Sequence, residues 1–555
     1  MLTYFFKSRL KFSRKSPKTG VWVFVFSTVF STISLGQDKY LVTFTDKDST
    51  AFDPFSYFDG KAIERRLKHN ISLSHFTDWP VNEQYVEVVR EKVERVTVVT
   101  RWFNGMVVWA TDEQLAQVQQ FSFVKSVESM VPVRAALAYA QEVDTEEEVT
   151  PRLEALAYAQ LEWLQHSAFQ EKNITGKGIR IAVFDAGFPM VDELPAFQHL
   201  RDNNKIIKTY DFVAKREDVY LANPHGTMVL SNIAGKHEEI QLGLAIDAEF
   251  LLARTERAHK EPFSEEENWL AAAEWADKEG AMIINSSLGY TDKRYKRSEM
   301  DGKTSFVTRA ANMAASKGIL VVNSAGNEGN DDWHIMGAPA DADSVLSIGG
   351  IDPLTGYHVR FSSFGPTEDD RMKPNVSAMG ITAAASRKGG LKQVLGTSFS
   401  SPLVAGFAAC AWQASPGLTN MELHEKIQQS AHLYPYFDYA HGFGMPQATF
   451  FTDSIEEVKP TFEIVEDGMI QVKITTEAYR PGLRKTYPNG KPMDYFPPYD
   501  DYLYYHIQLP YSRLDEYFVI AVSQREVLSL DPENYEQGTV IRVWYKNYTE
   551  AYTVD

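Results

Sequence analysis

Three side chains in this sequence could together turn a hydroxyl into a nucleophile. Asp185 closes the apolar run Ile181-Ala182-Val183-Phe184, His225 lies in Asn223-Pro224-His225-Gly226-Thr227-Met228, and Ser398 lies in Gly396-Thr397-Ser398-Phe399-Ser400-Ser401-Pro402. Serine is a poor nucleophile at neutral pH. It needs a base, and the base needs a carboxylate to orient it. Gly396 supplies a turn that delivers Ser398 to the first turn of a tightly packed helix over residues 397–412. Pro402 is expected in that first turn, where N–H groups lack intrahelical partners anyway. A helix start carries partial positive charge and free N–H groups, which suits an anion forming beside Ser398. Singly, each residue also has a structural use: a strand-end Asp as turn former, a His-Gly pair as a cap, a Ser as N-cap.

Elements able to position these groups can be read around them. Residues 161–450 alternate apolar strands with helices, the signature of a parallel α/β sheet. Residues 179–184, 248–253, 281–285 and 319–323 predict buried strands, and residues 268–280 and 307–316 predict helices. In such sheets functional residues gather beyond the carboxyl ends of the strands, where Asp185 and Asn327 fall. Ahead of this region, residues 40–44, 96–103, 105–110 and 124–128 read as strands and 84–93 and 111–121 as helices, with a hairpin at Asn104-Gly105 and a capping box from Thr111 to Gln114. The order βαββαβ is the ferredoxin-like split motif, with an insertion around residues 61–75 that contains Arg65-Arg66. Residues beyond 453 read as all-β, a sandwich with an Asp467-Gly468 hairpin and a long Pro/Gly/Tyr-rich loop at 479–501.

Together the chain order Asp, His, Ser and its contexts resemble the subtilisin-like serine proteases (subtilases), over about residues 161–450. Ile181-Ala182-Val183-Phe184-Asp185-Ala186-Gly187 resembles the aspartate motif and His225-Gly226-Thr227-Met228-Val229 the histidine motif. Ser324-Ala325-Gly326-Asn327-Glu328-Gly329 resembles the oxyanion motif, and the segment around Ser398 the serine motif. The resemblance implies peptide-bond hydrolysis through an acyl-enzyme, with Ser398 attacking, His225 as base and Asp185 orienting it. The Asn327 amide and the Ser398 N–H would bind the oxyanion. It further implies that Ser287, Leu288 and Gly289 pair with an extended peptide, and that Ser324, Ala325 and Gly326 wall the pocket before the cut. Gly337 would lie near the base of that pocket and leave room for a large apolar side chain, with Trp333, His334 and Met336 in a neighbouring loop able to narrow the site. The N-terminal unit resembles the inhibitor propeptide of the family, implying an autoinhibited precursor. No cofactor is implied for the chemistry; structural calcium is left open, without assigned ligands.

Competing chemistries fail on pattern. An α/β-hydrolase wants Gly-x-Ser-x-Gly with Ser first in chain order; here Ser400 follows Phe399, and Ser398 comes last. His237-Glu238-Glu239-Ile240 continues into Gln241, so no His-Glu-x-x-His zinc motif forms. A catalytically silent subtilase fold used for binding or adhesion is the alternative function, and a narrow processing enzyme or esterase is a third.

At 555 residues, 44% apolar and 23% charged, the chain is globular and multidomain. Its net charge of −18 argues against nucleic acid as a partner. The first 36 residues hold six basic side chains and no acid, so the remainder carries −24. Their basic start, apolar run at 21–35 and small residues before Gln37 predict a secretory signal. The alternative is a membrane anchor, for which a run of about 15 residues broken by Ser and Thr is short. A secreted product with no membrane span after signal removal is expected, acting on protein or peptide substrates and on its own propeptide. Cys410 is the sole cysteine, which excludes an intramolecular disulfide. The expected organisation is a signal at 1–36, propeptide at 37–133, linker with the processing region at 134–160, catalytic domain at 161–452 and β-sandwich at 453–555. Within the linker, Ala136-Leu137-Ala138-Tyr139-Ala140-Gln141 recurs at residues 155–160 around an acidic middle.

Overall fold

The computed structural model describes residues 38–130, 149–257, 263–292, 294–453, 458–479, 502–511 and 514–555. The expected signal, the first copy of the repeat with most of the acidic stretch, and all but the first residue of the 479–501 loop lie outside these residues. Among the described residues no helix is long and apolar enough to cross a membrane.

The N-terminal unit is the split βαββαβ motif. Its antiparallel sheet runs Arg95–Thr100, Gly105–Ala110, Asp38–Phe44, Val124–Ser129. Strand alternation sorts its side chains to two faces. Val42, Phe44, Met106 and Val108 pack under the unit's own helices. Leu41 and Val107 face the other way, into a core shared with helices Ser264–Lys278 and Phe306–Ser316 of the main domain. The Thr111–Gln114 capping box forms as expected. The insertion folds into short helices Pro54–Tyr57 and Gly60–Lys68, each started by an aspartate N-cap, Asp53 and Asp59.

The main domain is built on a seven-stranded, wholly parallel sheet in the order Val376–Met379, Val345–Ile351, Leu320–Ser324, Ile283–Ser286, Arg180–Asp185, Glu249–Arg254, Ile206–Asp211. Helices cover both faces, which is why its central strands read as unbroken apolar runs rather than alternating ones. Helix Thr397–Ala414 runs through the core beside helix His225–Ala234, buried from Thr397 to Trp412 and including Cys410.

Two boundaries differ from the sequence reading. The linker expected up to residue 160 gives way to helix Pro151–Glu162, capped by Thr150. Leu153, Leu156, Ala157 and Ala159 sit in the main core, and the Gln160 amide bridges Leu242 and Ala383. The second repeat copy is thus an integral helix; its apolar residues fall at helical spacing, a signal the repetitive composition obscured. Pro402 is not in the first turn but six residues into its helix. Its missing N–H leaves the Ser398 carbonyl free one turn back, and the Ser287 hydroxyl donates to that carbonyl at 2.9 Å.

The C-terminal unit is two facing antiparallel sheets. One holds Phe462–Glu466, Ile470–Ile474 and Glu526–Leu530; the other holds Leu514–Ala521, Tyr502–Gln508, Val540–Tyr545 and Tyr548–Thr553. Phe462, Val472, Leu503, Ile507 and Val543 form their common core. The strands at 526–530 and 548–553 were not read from the sequence. Tyr504 and Trp544 pack on Leu433 and Tyr436 of the main domain.

Candidate active site

Asp185 is the last residue of its strand and 2% exposed. One carboxylate oxygen accepts the Ala186 N–H at 2.7 Å, and both lie on His225 Nδ1, at 2.9 and 3.0 Å. His225 opens its helix, with its own N–H held by the Asn223 side chain at 2.9 Å. The neighbouring Gly226 explains the His-Gly pair: a Cβ there would meet Gly187 O at 2.4 Å and Asp185 Cβ at 2.9 Å. Only glycine lets the helix start come this close to the strand end. Because Nδ1 donates to the carboxylate, the neutral ring carries its basic lone pair on Nε2.

Ser398 is the second residue of its helix and buried, its hydroxyl donating to Ser287 O at 3.3 Å. The next residue, Phe399, brings its ring 5.4 Å from the His225 ring, so the serine end of one helix meets the histidine end of the other. Gly396 precedes them with φ +142°, a left-handed value that glycine adopts freely. A Cβ at Gly396 would lie 3.6 Å from Asn327 Nδ2 and 3.7 Å from Ser398 N, so these two donors border the same glycine face.

The Ser287–Leu288–Gly289 segment lies beside this centre. Leu288 O is tied inward to Asn323 Nδ2 at 3.0 Å, whereas Gly289 is open, its nearest would-be neighbour being Ala338 O at 4.0 Å. Ala325 is fixed by its N–H to Ile348 O at 2.9 Å. Gly337 lies in a tight seam. A Cβ there would meet Tyr290 O at 2.7 Å and Thr291 Cγ2 at 2.9 Å, so the glycine admits a tight backbone seam in which Tyr290 and Ala338 exchange both hydrogen bonds. Trp333 and Met336 are turned into the core, and His334 stacks on Phe364 at 4.4 Å. Their side chains pack inward or on a neighbour.

Two residues the sequence reading passed over stand at the site. Thr397 holds Asn327 through both its N–H and its hydroxyl. Glu328 folds back on Gly326, where a Cβ would come within 2.4 Å of its carboxylate; Ser363 Oγ donates to it at 3.0 Å, and burial raises its pKa. Its position directly after Asn327 was the available signal. Among the described residues no three His, Cys, Asp or Glu side chains gather as a metal site, so no donor set for a cation can be named.

Residues 176–445 match the model of the subtilase family, and residues 39–147 match that of the peptidase S8 propeptide domain of Bacteroidota. The chain is a subtilase with an N-terminal propeptide domain. Similar curated proteins include the thermostable alkaline protease of Halalkalibacterium halodurans, 28% identical over 47% of this chain and 64% of its own length. The thermophilic serine proteinase of Bacillus sp. is 32% identical over 46% of this chain and 56% of its own. Subtilisin Savinase of Lederbergia lenta is 26% identical over 48% of this chain and 88% of its own. The first two of these are thus matched over somewhat less than two thirds of their length. The subtilase domain holds Asp185, His225, Asn327 and Ser398, and the propeptide domain is the βαββαβ unit with its insertion.

Proposed function

We propose that this subtilase is a serine endopeptidase made as an autoinhibited, secreted precursor. The observation that carries the reading is the grip of both Asp185 oxygens on His225 Nδ1, at a helix start that meets the first turn of the helix holding Ser398. In the proposed reaction His225 Nε2 removes the proton of Ser398 Oγ as that oxygen adds to a peptide carbonyl. The imidazolium so formed is stabilised by Asp185 and returns its proton to the departing amine. The negative oxygen of the tetrahedral adduct falls between Asn327 Nδ2 and the Ser398 N–H, donors already aimed before reaction. Water then repeats the sequence on the acyl-enzyme. An extended peptide would pair along Ser287–Leu288–Gly289, with its residue before the cut against Ser324–Ala325–Gly326. Met130, at the end of the propeptide sheet, belongs to the same apolar cluster as Leu288 and Tyr290.

The test is the intact mass of residues 37–555 as wild type and as Ser398→Ala. The wild type is expected to lose a fragment ending within residues 131–150, between the propeptide sheet and the helix beginning at Pro151, while the variant stays whole. Two whole chains would defeat self-processing and favour a silent binding module.

A further inference from the structure

A second aspartate–histidine pair lies under the C-terminal sheets. His441 sets Nδ1 3.0 Å from both carboxylate oxygens of Asp438, and both residues are buried. The contact repeats the grip of Asp185 on His225, but the far side of the ring has another use. His441 Nε2 accepts the backbone N–H of His358 at 3.0 Å. Because Nδ1 donates to the carboxylate, the neutral ring accepts at Nε2, so the pair is set to hold a main-chain donor.

The segment entered at His358 ends on the loop that carries Asn327. Ser363 N donates to Gly326 O at 3.0 Å, Glu328 N donates to Ser363 Oγ at 3.1 Å, and Gly329 N donates to Phe361 O at 2.8 Å. These bonds hold the backbone on both sides of Asn327. The fit is close: a Cβ on Gly329 would meet Ser362 O at 2.3 Å and Arg360 O at 2.7 Å. Between the two ends the chain makes a compact turn, closed by Ser362 N on Val359 O at 2.9 Å and braced by Gly350 N on Ser362 Oγ at 3.0 Å. Tilting the entry of so short a turn re-aims its exit.

The C-terminal sheets seat the pair from the other side. The Tyr504 ring stands edge-on to His441, with centroids 5.6 Å apart. The Tyr436 hydroxyl donates to Asp438 at 3.0 Å, and its ring stacks on His506 at 5.1 Å. His506 in turn donates from Nδ1 to Phe437 O at 2.6 Å. The loop at 436–441, which carries both members of the pair, is thus packed against strand Tyr502–Gln508.

We propose that His441 is a positioning residue for the Asn327 donor, and that the C-terminal sheets, by seating the Asp438–His441 pair, help to make the oxyanion loop competent. The proposal rests on the reading of Asn327 as an oxyanion donor. Thr397 fixes the side-chain amide, whereas the 358–363 turn fixes the backbone from which that side chain projects. A displacement of about 1 Å at such a donor is enough to cost about 100-fold in rate.

The test is steady-state hydrolysis of a chromogenic peptide by the full chain, with rates expressed per folded molecule. His441→Leu keeps bulk but cannot accept the His358 N–H; it is expected to lower kcat at least about tenfold, with KM within about twofold. His441→Gln, whose amide oxygen accepts in the same place, should restore most of that loss. In a chain already carrying Asn327→Ala, the His441→Leu factor is expected to shrink below about twofold, since the donor it positions is gone. An equal factor in both backgrounds would assign His441 to general stability and overturn the proposal. Val472→Ala, in the core between the C-terminal sheets, is expected to lower the melting temperature and leave kcat unchanged; a kcat loss matching that of His441→Leu would also overturn it. If His441→Leu does not fold, Tyr436→Phe, which removes only the hydroxyl on Asp438, must still lower kcat at least about twofold, and only while Asn327 is present. An inactive wild type defeats the catalytic reading and this proposal with it. An active wild type whose kcat these variants leave unchanged overturns the positioning alone.

Discussion

The side-chain oxygen of Asn327 accepts two hydrogen bonds from Thr397, from its N–H at 2.9 Å and from its hydroxyl at 3.1 Å. With the oxygen held there, the amide nitrogen has a fixed direction, toward the glycine face it shares with Ser398 N. The amide is thus a donor oriented in advance of any negative charge. Asn327→Asp keeps the acceptor for Thr397 but removes the donor. It is expected to lower kcat roughly 100- to 1,000-fold with little change in KM on a peptide substrate. A variant that keeps wild-type kcat would remove Asn327 from the chemistry.

The Asp185–His225 contact makes a separate prediction. Asp185 Oδ1 also accepts the Ala186 N–H, so in Asp185→Asn the amide oxygen is expected to stay on Ala186 and the NH2 to face His225. Nδ1 must then accept, which places the ring proton on Nε2, where the base is needed. A loss of about 10⁴-fold in kcat follows, without loss of fold. Steady-state kinetics paired with a melting curve tests this; a loss below tenfold in a folded variant would contradict the assigned tautomer.

Gly337 and Gly289 should separate in their effects. Gly337→Ala puts a methyl against the Tyr290 carbonyl and is expected to destabilise by about 1–3 kcal/mol, as overpacking does. Gly289→Ala meets no atom closer than 4.0 Å, so it should leave the melting temperature unchanged while shifting kcat/KM among peptides. Equal thermal shifts in the two variants would mean that the 290–338 seam does not confine residue 337.

How far these features were legible follows from the range of the interactions involved. The strand end at Asp185, and within one residue that at Ser324, could be read because a doubly covered parallel sheet writes its strands as apolar runs, and the motif order of Asp185, His225 and Ser398 needed no structure. The seam at Gly337 is not legible in the sequence, because a glycine looks alike whether it opens a pocket or admits a neighbouring backbone; only the structure shows the approach of Tyr290. Arg65-Arg66 read as part of an insertion and nothing more, since their partners Asp277 and Lys317 lie over 200 residues away. Helix Pro151–Glu162 was hidden by its likeness to the preceding copy, although Thr150-Pro151 is an ordinary helix start.

The seam between the subtilase domain and the C-terminal sheets is rich in buried imidazoles and should weaken in acid. His506 donates from Nδ1 to Phe437 O at 2.6 Å, His432 Nδ1 accepts from Met445 N at 2.9 Å, and the His358 N–H donates to His441 Nε2 at 3.0 Å. Burial lowers their pKa values to about 4 for His506 and about 3 for His432 and His358, from about 6.5 in an unfolded chain. Between those limits the unfolded chain binds protons that the folded one does not, so stability is full above about pH 6.5 and falls as pH drops toward 4. The slope is up to about 1.4 kcal/mol per pH unit for each ring. Glu274 and Glu328, whose pKa values burial raises, act in the opposite sense, so the decisive quantity is a difference. Denaturation of Ser398→Ala at pH 7 and pH 5 should show a steeper loss than the same chain carrying His506→Gln, which removes one such ring. Identical pH slopes would mean that His506 titrates normally in the folded protein.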